Sequence, residues 1–199
     1  AYEITYGDWS SDVCSSDLRG VNVGTKNALP MAELRRMLEE VGCSAVATYV
    51  QSGNAVFQTE LAADALTEAI ERALAAYMGR RIATTLRTRA ELEEVVAANP
   101  FRDVATTSTG LCVTFLTQPA TKAELAPLHA QGWDDDRFEV VGRHIYTWYP
   151  NGQGKSALAA ALAKLKVRGA LTTRNWNTVE KLLAMAGGDG RVPYFAYGS

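Results

Sequence analysis

The feature that most constrains this chain is an order of elements that occurs twice. In residues 19–101 the hydrophobic periodicity predicts the end of a strand, a helix, a β-hairpin, a helix, a strand and a last helix. Residues 111–186 repeat that order. A strand, helix, hairpin, helix and strand form the split βαβ, or ferredoxin-like, unit. We therefore expect an α+β protein of two ferredoxin-like (βαββαβ) subdomains, each followed by an extra helix, with residues 187–199 as a tail.

Local signals support this order in the first half. Pro30 suits the start of a helix and Gly42 its end. "AVATYVQSGNAVFQT" contains two β-rich runs around a Ser-Gly-Asn turn, which is typical of a hairpin. "RIATTLRT" predicts a strand, and "RAELEEVVAANP" predicts a helix that ends before Pro100.

The second half carries matching signals. "LCVTFLT" predicts a strand, and "TKAELAPLHA" a helix that bends or restarts at Pro127. "RFEVVGRHIYTWYP" predicts a hairpin around a Gly-Arg turn. "KSALAAALAKLK" predicts a helix that begins at Lys155, "ALTTR" a short strand and "WNTVEKLLAMA" a final amphipathic helix.

Residues 1–18 fit neither half. They have no helical or strand period, and Asp8–Leu18 resembles, codon for codon, the translation of the constant part of a short-read sequencing adapter. We interpret 1–18 as a non-native segment that replaces most of the first strand, which lies centrally in a ferredoxin-like sheet. Residues 1–12 are expected to lack regular structure, and Val13–Leu18 to act as a substitute strand.

The composition excludes several classes of protein. A hydrophobic content of 47% and a charged content of 21% are ordinary for a globular protein, and a net charge of −2 argues against bulk nucleic-acid binding. No run approaches the length of a membrane span. Outside the adapter-like segment, Cys43 and Cys112 have neither metal nor disulfide spacing. We expect a cytoplasmic protein with no metal, no cofactor and no membrane contact.

The strongest candidate site is "YPNGQGKSALAAALAKL". Glycines before a helix let backbone N–H groups converge, and a helix start favours anions. The segment is not a Walker A loop, because Tyr149 stands where that motif needs glycine. A simple glycine turn with an N-cap explains the same residues. The candidate residues are Gly152, Gly154, Lys155 and Ser156.

A second candidate is "TTRNWNTVEKL", where a strand meets a helix. Arg174 could clamp a phosphate or a carboxylate. Asn175 or Asn177 could instead cap the last helix, and we favour core packing over base stacking for Trp176. We predict that the N–H groups of Lys155 and Ser156 lie at a helix N-terminus and that the side chains of Lys155 and Arg174 open onto the same cleft. The topology leaves open whether the two loops lie at the same end of the sheet.

A third candidate lies in the first half, at the end of the first strand and in the hairpin turn. Turn chemistry alone explains the hairpin residues, and we favour that interpretation there. The residues concerned are Arg19, Asn22, Lys26, Gln51, Ser52 and Asn54.

No side chains form a convincing catalytic set. Ser156 has no histidine within its motif, and His144 lies in a β-run, which favours a half-buried packing role. The acidic run Asp134–Asp136 is typical of a solvated loop rather than a cation site.

Five segments in order resemble the bacterial domain-of-unknown-function family 1697: "RGVNVGTKNALPM", "TYVQSGNAVF", "ANPF", "YPNGQGKS" and "TTRNWNTV". The resemblance spans residue 19 to about residue 186. It implies an α+β protein of two similar subdomains and assigns no reaction. Members of the family begin with an apolar strand where this chain has the Ser/Asp run, and they often place Ser before Lys at "GQGKS".

Three functional hypotheses remain. The first is a module that binds a phosphate-bearing ligand, either a nucleotide or a nucleic-acid segment. The second is an enzyme that acts on a small anionic metabolite between the subdomains. The third is a protein-interaction domain without a ligand. Convergence of the basic side chains favours the first two hypotheses, whereas their dispersal favours the third.

Overall fold

The computed structural model describes residues 15–16, 29–49, 53–104 and 110–187. Within these residues the chain is α+β, with one three-stranded and one four-stranded antiparallel sheet and six α-helices. Five candidate residues lie outside the described residues, as does the prediction for residues 1–12. The five are Arg19, Asn22, Lys26, Gln51 and Ser52.

The first half forms the elements that its periodicity predicts, with one exception. The described elements are β1 (Ser15–Ser16), α1 (Met31–Glu40), β2 (Ser44–Tyr49), β3 (Asn54–Gln58), α2 (Ala63–Met78) and α3 (Arg89–Ala97). Helix α1 begins directly after Pro30 and is followed by Gly42 at φ 95°. The hairpin prediction is confirmed by the antiparallel pairing of β2 with β3.

The first sheet has the order β1-β3-β2. Ser15 lies opposite Val56 and Ser16 opposite Ala55, so the adapter-like segment pairs with β3. The prediction of a substitute strand within Val13–Leu18 is confirmed for these two residues.

The strand predicted in "RIATTLRT" stays a prediction, because residues 81–88 form no ladder with a described strand and the expected partner lies mostly outside the described residues. The Thr84 N–H instead donates to the Glu71 carboxylate at 3.0 Å. In a ferredoxin-like unit the partner of this segment is the first strand, and β1 supplies only two described residues, which pair with β3.

The second half forms β4 (Leu111–Leu116), α4 (Lys122–His129), β5 (Arg137–Val141), β6 (His144–Trp148), α5 (Ala157–Ala163), β7 (Leu171–Asn175) and α6 (Trp176–Met185). Its sheet has the order β5-β6-β4-β7 with antiparallel neighbours throughout. Two predictions need correction. Helix α4 continues through Pro127, with Leu125 and Leu128 buried on either side, and α5 begins at Ala157 rather than at Lys155.

One hydrophobic core cluster spans both halves. It contains residues of α1, β3, α2 and α3 from the first half and of β4, β6 and α6 from the second. Strand β4 is buried on both faces, since Val113 and Phe115 join this cluster while Cys112 and Leu116 join a second cluster with α4 and α5. The packing of α3 against α6 adds to the joint between the halves.

Candidate functional site

Two of the predicted motifs meet at one rim of the second sheet. Strands β6 and β7 both run antiparallel to β4, so they are parallel to each other and end on the same side. Cys112, near the start of β4, lies between Thr147 of β6 and Asn175 of β7. The loop after β6 and the start of α6 therefore leave the sheet at the same rim, a point that the sequence left open.

The loop after β6 is anchored by close backbone contacts. The Tyr149 N–H donates to Gly110 O at 2.9 Å, and the Gly152 N–H donates back to Tyr149 O at 3.0 Å. Gly110 has φ 87°, and a Cβ there would lie 2.3 Å from Tyr149 O, so only glycine fits. Tyr149 is buried, and its burial raises the pKa of the phenol well above its usual range.

Beyond this anchor the loop lies on the surface. Residues 150–155 are all exposed, and a Cβ built at Gly152 or Gly154 would meet no atom within 4 Å. Lys155 lies in a short 3-10 turn, Gln153–Lys155, with its side chain in solvent. The loop therefore offers an open surface with one cationic head group.

Ser156 is used by the fold itself. Its Oγ accepts the Ala159 N–H at 2.8 Å and donates to Asp136 Oδ2 at 2.6 Å, while its own N–H donates to Gln153 O at 3.1 Å. Ser156 is thus the N-cap of α5. The Ser156 N–H thus lies at a helix N-terminus, as predicted, and the N-cap interpretation of this residue is confirmed. The N–H is already hydrogen-bonded to Gln153 O, and a carboxylate of the chain lies beside the hydroxyl.

Arg174 is enclosed rather than open to a cleft. Its side chain is only 1% exposed, and it donates to Thr173 O and, at 3.0 Å, to Thr172 Oγ1. Because Arg174 lies within β7 opposite Val113 while Lys155 points into solvent, the two head groups do not share the predicted cleft.

The remaining residues of this motif have mostly structural roles. Asn175 caps α6, since its Oδ1 accepts the Thr178 N–H at 3.0 Å and the Thr178 hydroxyl at 2.5 Å. Trp176 is buried in the core and donates to Glu180 at 2.8 Å, which confirms packing rather than stacking. Asn177 is exposed on the first turn of α6 and is therefore accessible at the rim.

Cys112 lies beneath the rim. Burial raises the pKa of its thiol to about 11, although the nearby Arg174 acts in the opposite direction. The Sγ atom lies 3.8 Å from Gln153 Oε1, which connects β4 to the exposed loop. At neutral pH the thiol stays protonated, so it has no nucleophilic character.

In the first sheet, Asn54 closes the hairpin. It is fully buried, and its Nδ2 donates to Tyr49 O at 2.9 Å. Turn chemistry, the interpretation favoured from the sequence, thus applies to Asn54.

Sequence reasoning missed a polar cluster at the joint between the halves. Arg87, 2% exposed, donates to Leu86 O at 2.7 Å, to Leu116 O at 2.6 Å and to His144 Nε2 at 3.3 Å. Its guanidinium also lies over the Phe115 ring, 5.5 Å from the centroid. One side chain of the first half therefore binds β4 and β6 of the second.

The same cluster keeps His144 neutral. Burial lowers the pKa of His144 to about 3, and the positive charges of Arg87 and Arg143 act in the same direction. A hydrogen bond with the Val141 backbone raises this pKa, but by less. Arg143 pairs with Glu91, a residue of the capping box at the start of α3. The packing role predicted for His144 is confirmed by its partial burial and its edge contact with Phe115.

A repeated signal could have revealed the cluster. Arg87 precedes Thr88, the N-cap of α3, and Arg174 precedes Asn175, the N-cap of α6. Both arginines are buried. An arginine directly before the N-cap in each half is thus a local mark of the repeat.

The described residues show neither a metal-binding cluster nor a membrane-spanning helix. No group of three or more His, Cys, Asp or Glu side chains among the described residues could hold a metal ion. In the same part of the chain, no helix is long and apolar enough to cross a membrane.

Comparison with known proteins identifies the family. The family model described as "Protein of unknown function (DUF1697)" matches residues 18–146. The chain belongs to this family. The DUF1697 match begins at the last residue of the adapter-like segment and confirms the family resemblance. The motifs "YPNGQGKS" and "TTRNWNTV" lie beyond the matched residues. No curated protein matches the chain.

A solved structure shares the fold of this DUF1697 chain. It is titled "The structure of conserved bacterial protein SP0830 from Streptococcus pneumoniae", and it is 24% identical with a TM-score of 0.73. The alignment covers 88% of this chain and 99% of that one. At this identity the similarity concerns the fold alone.

Proposed function

We propose that this DUF1697 chain is a cytoplasmic module that binds a phosphate-bearing ligand, a nucleotide or a nucleic-acid segment, at the rim where β6 and β7 end. The observation that carries the proposal is the parallel course of these strands, which brings the exposed loop 150–155 and the start of α6 to one side of the sheet. Ligand sites commonly form where a few polar groups from different elements converge on one place.

Three accessible features support an anionic ligand at this rim. Lys155 offers a solvated cation, and Gly152 and Gly154 leave open space in which a phosphate could approach the backbone. Asn177 adds an exposed amide on the first turn of α6. Arg174 supports the site through the field of its charge beneath the rim rather than by direct contact.

Asp136 acts against an anion at the same place. Its carboxylate accepts from Ser156 beside the loop, so it repels a phosphate that approaches Lys155. Neutralising Asp136 should therefore raise phosphate affinity, whereas removing Lys155 should lower it. This opposition makes the proposal testable with two substitutions of opposite effect.

The architecture is part of the proposal. We infer that each half is a ferredoxin-like unit, and the support is the strand order β5-β6-β4-β7, which is the order second, third, first and fourth within the second half. The described part of the first sheet, β1-β3-β2, has the corresponding order of first, third and second strands.

The test is a binding titration with three probes: inorganic phosphate, a nucleoside triphosphate and a short single-stranded oligonucleotide. Calorimetry and the NMR chemical shifts of the backbone amides measure the binding. We expect the Lys155→Ala variant to lose about tenfold in affinity, because a charge-assisted hydrogen bond contributes roughly 1.5–3 kcal/mol. Lys166→Ala removes another exposed lysine and is the matched control. Asp136→Asn should bind more tightly, with the exposed Asp103→Asn as its control.

Two outcomes would contradict the proposal. One is saturable binding that Lys155→Ala leaves unchanged, and the other is the absence of binding by all three probes to a chain whose first strand has been restored. The second outcome would favour the protein-interaction hypothesis. The oligonucleotide arm separates a nucleic-acid ligand from a nucleotide by its steeper salt dependence.

A further inference from the structure

Strand β5 forms one edge of the second sheet. It pairs with β6 on one side, and among the described strands none pairs with its other side. Arg137, Glu139 and Val141 are exposed on one face, while Phe138 and Val140 are half-buried on the other. An edge of this kind offers backbone groups to an added strand.

The pairing with β6 decides which backbone groups point outward. Arg143 faces β4, because its carbonyl accepts the Leu116 N–H at 3.0 Å. Successive residues of a strand direct their backbone groups to opposite sides, so the next residue, His144, faces β5. His144 lies opposite Val141, which therefore faces inward.

The inward and outward backbone groups alternate along β5 from that point. Arg137, Glu139 and Val141 direct their N–H and C=O groups to β6, whereas Phe138 and Val140 direct theirs outward. The N–H of Asp136, the next outward position, already donates to Trp133 O at 2.9 Å.

This pattern fits a second copy of the same strand. When two copies of β5 pair antiparallel around Phe138, each Phe138 exchanges two backbone hydrogen bonds with its copy, and each Val140 N–H meets an Asp136 carbonyl. Arg137 of each copy then lies opposite Glu139 of the other copy, which gives two pairs of opposite charge. Both are non-hydrogen-bonded pairs, in which the side chains lie closest together.

Other registers lack this complementarity. Pairing around Glu139 would put two carboxylates opposite each other, and pairing around Val140 would leave Glu139 opposite Val141. The outward backbone groups can meet in all three registers, so the opposite charges of Arg137 and Glu139 are what favour pairing around Phe138. The half-buried Phe138 rings face each other there and extend the covered face of the sheet.

We propose that β5 is a self-association edge through which two copies of this chain join their four-stranded sheets into one continuous eight-stranded sheet. This inference does not depend on the phosphate site. A five-residue strand pair buries less surface than a stable dimer interface, so the dimer is weak and forms at high protein concentration.

The experiment is sedimentation of the full chain over a concentration series, with two charge reversals and their mixture. R137E alone and E139R alone should each weaken the dimer about tenfold, because like charges then face each other twice. An equimolar mixture of R137E and E139R should recover association, because two acidic side chains of one chain then face two basic side chains of the other. K166E, an exposed reversal away from the edge, should associate like the wild type.

Hydrogen exchange gives an independent measurement. The Phe138 and Val140 amides should become more protected as protein concentration rises, while exchange at Glu139, already paired to β6, stays constant. A chain that remains monomeric at millimolar concentration would overturn the proposal. So would a dimer that neither reversal weakens, or variants that fail to associate when mixed although each is folded by circular dichroism.

Discussion

Residues 81–88 of the first half and β7 of the second occupy corresponding places in the repeat, and they differ in structure. Both are rich in threonine, both carry a buried arginine directly before an N-cap, and both lead into helices that pack on each other. Yet β7 forms a ladder of five residue pairs with β4, whereas residues 81–88 form none among the described residues. Among the described residues, the two segments therefore differ in their backbone partners and not in their local sequence signals.

The two arginines show the same contrast. Arg174 donates to Thr172 and Thr173 of its own strand, which β4 already holds in place. Arg87 donates to Leu116 and His144 of the other half. Where a ladder is missing, a side chain connects the segment to the rest of the core. A buried arginine before an N-cap therefore supports the fold in two ways. Arg174 contacts its own strand, whereas Arg87 connects the two halves.

The largest expected effect is the loss of the Arg87 contacts. Arg87→Ala removes a buried cation and leaves the Leu116 carbonyl without that donor, so it should lower the free energy of unfolding by about 3 kcal/mol or more. Arg174→Ala should cost less, because β7 keeps its ladder. Urea unfolding measures both, with the exposed Arg72→Ala as control. Equal costs for the two buried arginines would remove the contrast.

The second prediction concerns the segment that precedes residue 19. Replacing residues 13–18 by an apolar strand should stabilise the protein by about 2 kcal/mol, because a central strand supplies backbone partners and buries two faces. The amides of residues 84–87 should then exchange more slowly, as β7 amides do. Unchanged urea midpoints and unchanged exchange would show that the neighbour is not what residues 81–88 lack.

A third prediction uses pH to disturb the joint. The pKa of His144 is about 3 in the folded chain, against an ordinary value of 6.5 that applies to the unfolded chain. Between pH 3 and pH 6.5 the unfolded chain therefore binds more protons than the folded chain. Stability should therefore fall as pH drops from 6.5 towards 3, by up to a few kcal/mol, since each pKa unit corresponds to about 1.4 kcal/mol. His144→Gln should flatten this dependence while keeping an acceptor for Arg87. A slope that is identical in the variant would assign the acid sensitivity to other groups.

The smallest expected effect concerns the caps that follow each arginine. Thr88→Ala and Asn175→Ala each remove one side-chain acceptor from a helix start and should each cost about 1 kcal/mol. Thr121→Ala, in the exposed capping box of α4, is the matched control. A much larger loss for Thr88 would show that the capping box also positions Glu91 for its pair with Arg143. Thermal unfolding resolves differences of this size.

The sequence predicted most elements because local signals and global fold agree there. Pro30 and Gly42 bound α1 as expected, and the hairpins formed where β-rich runs flank short turns. At the candidate site, the sequence predicted the loop and the N-cap alternatives for Ser156 and Asn175, but not the long-range partners of these residues. The Ser156 hydroxyl donates to Asp136, which lies twenty residues earlier in the turn before β5. This hydrogen bond depends on how that turn packs, so it could not be predicted from the local sequence.

Periodicity, turn residues and capping boxes are properties of short segments, so the sequence by itself determined the helices and the hairpins. Whether Arg174 is enclosed and whether the loops after β6 and β7 share a rim were decided by the tertiary structure alone. These outcomes depend on backbone partners distant in sequence. A strand needs a neighbour for its hydrogen bonds, and a cation is buried only where another element covers it.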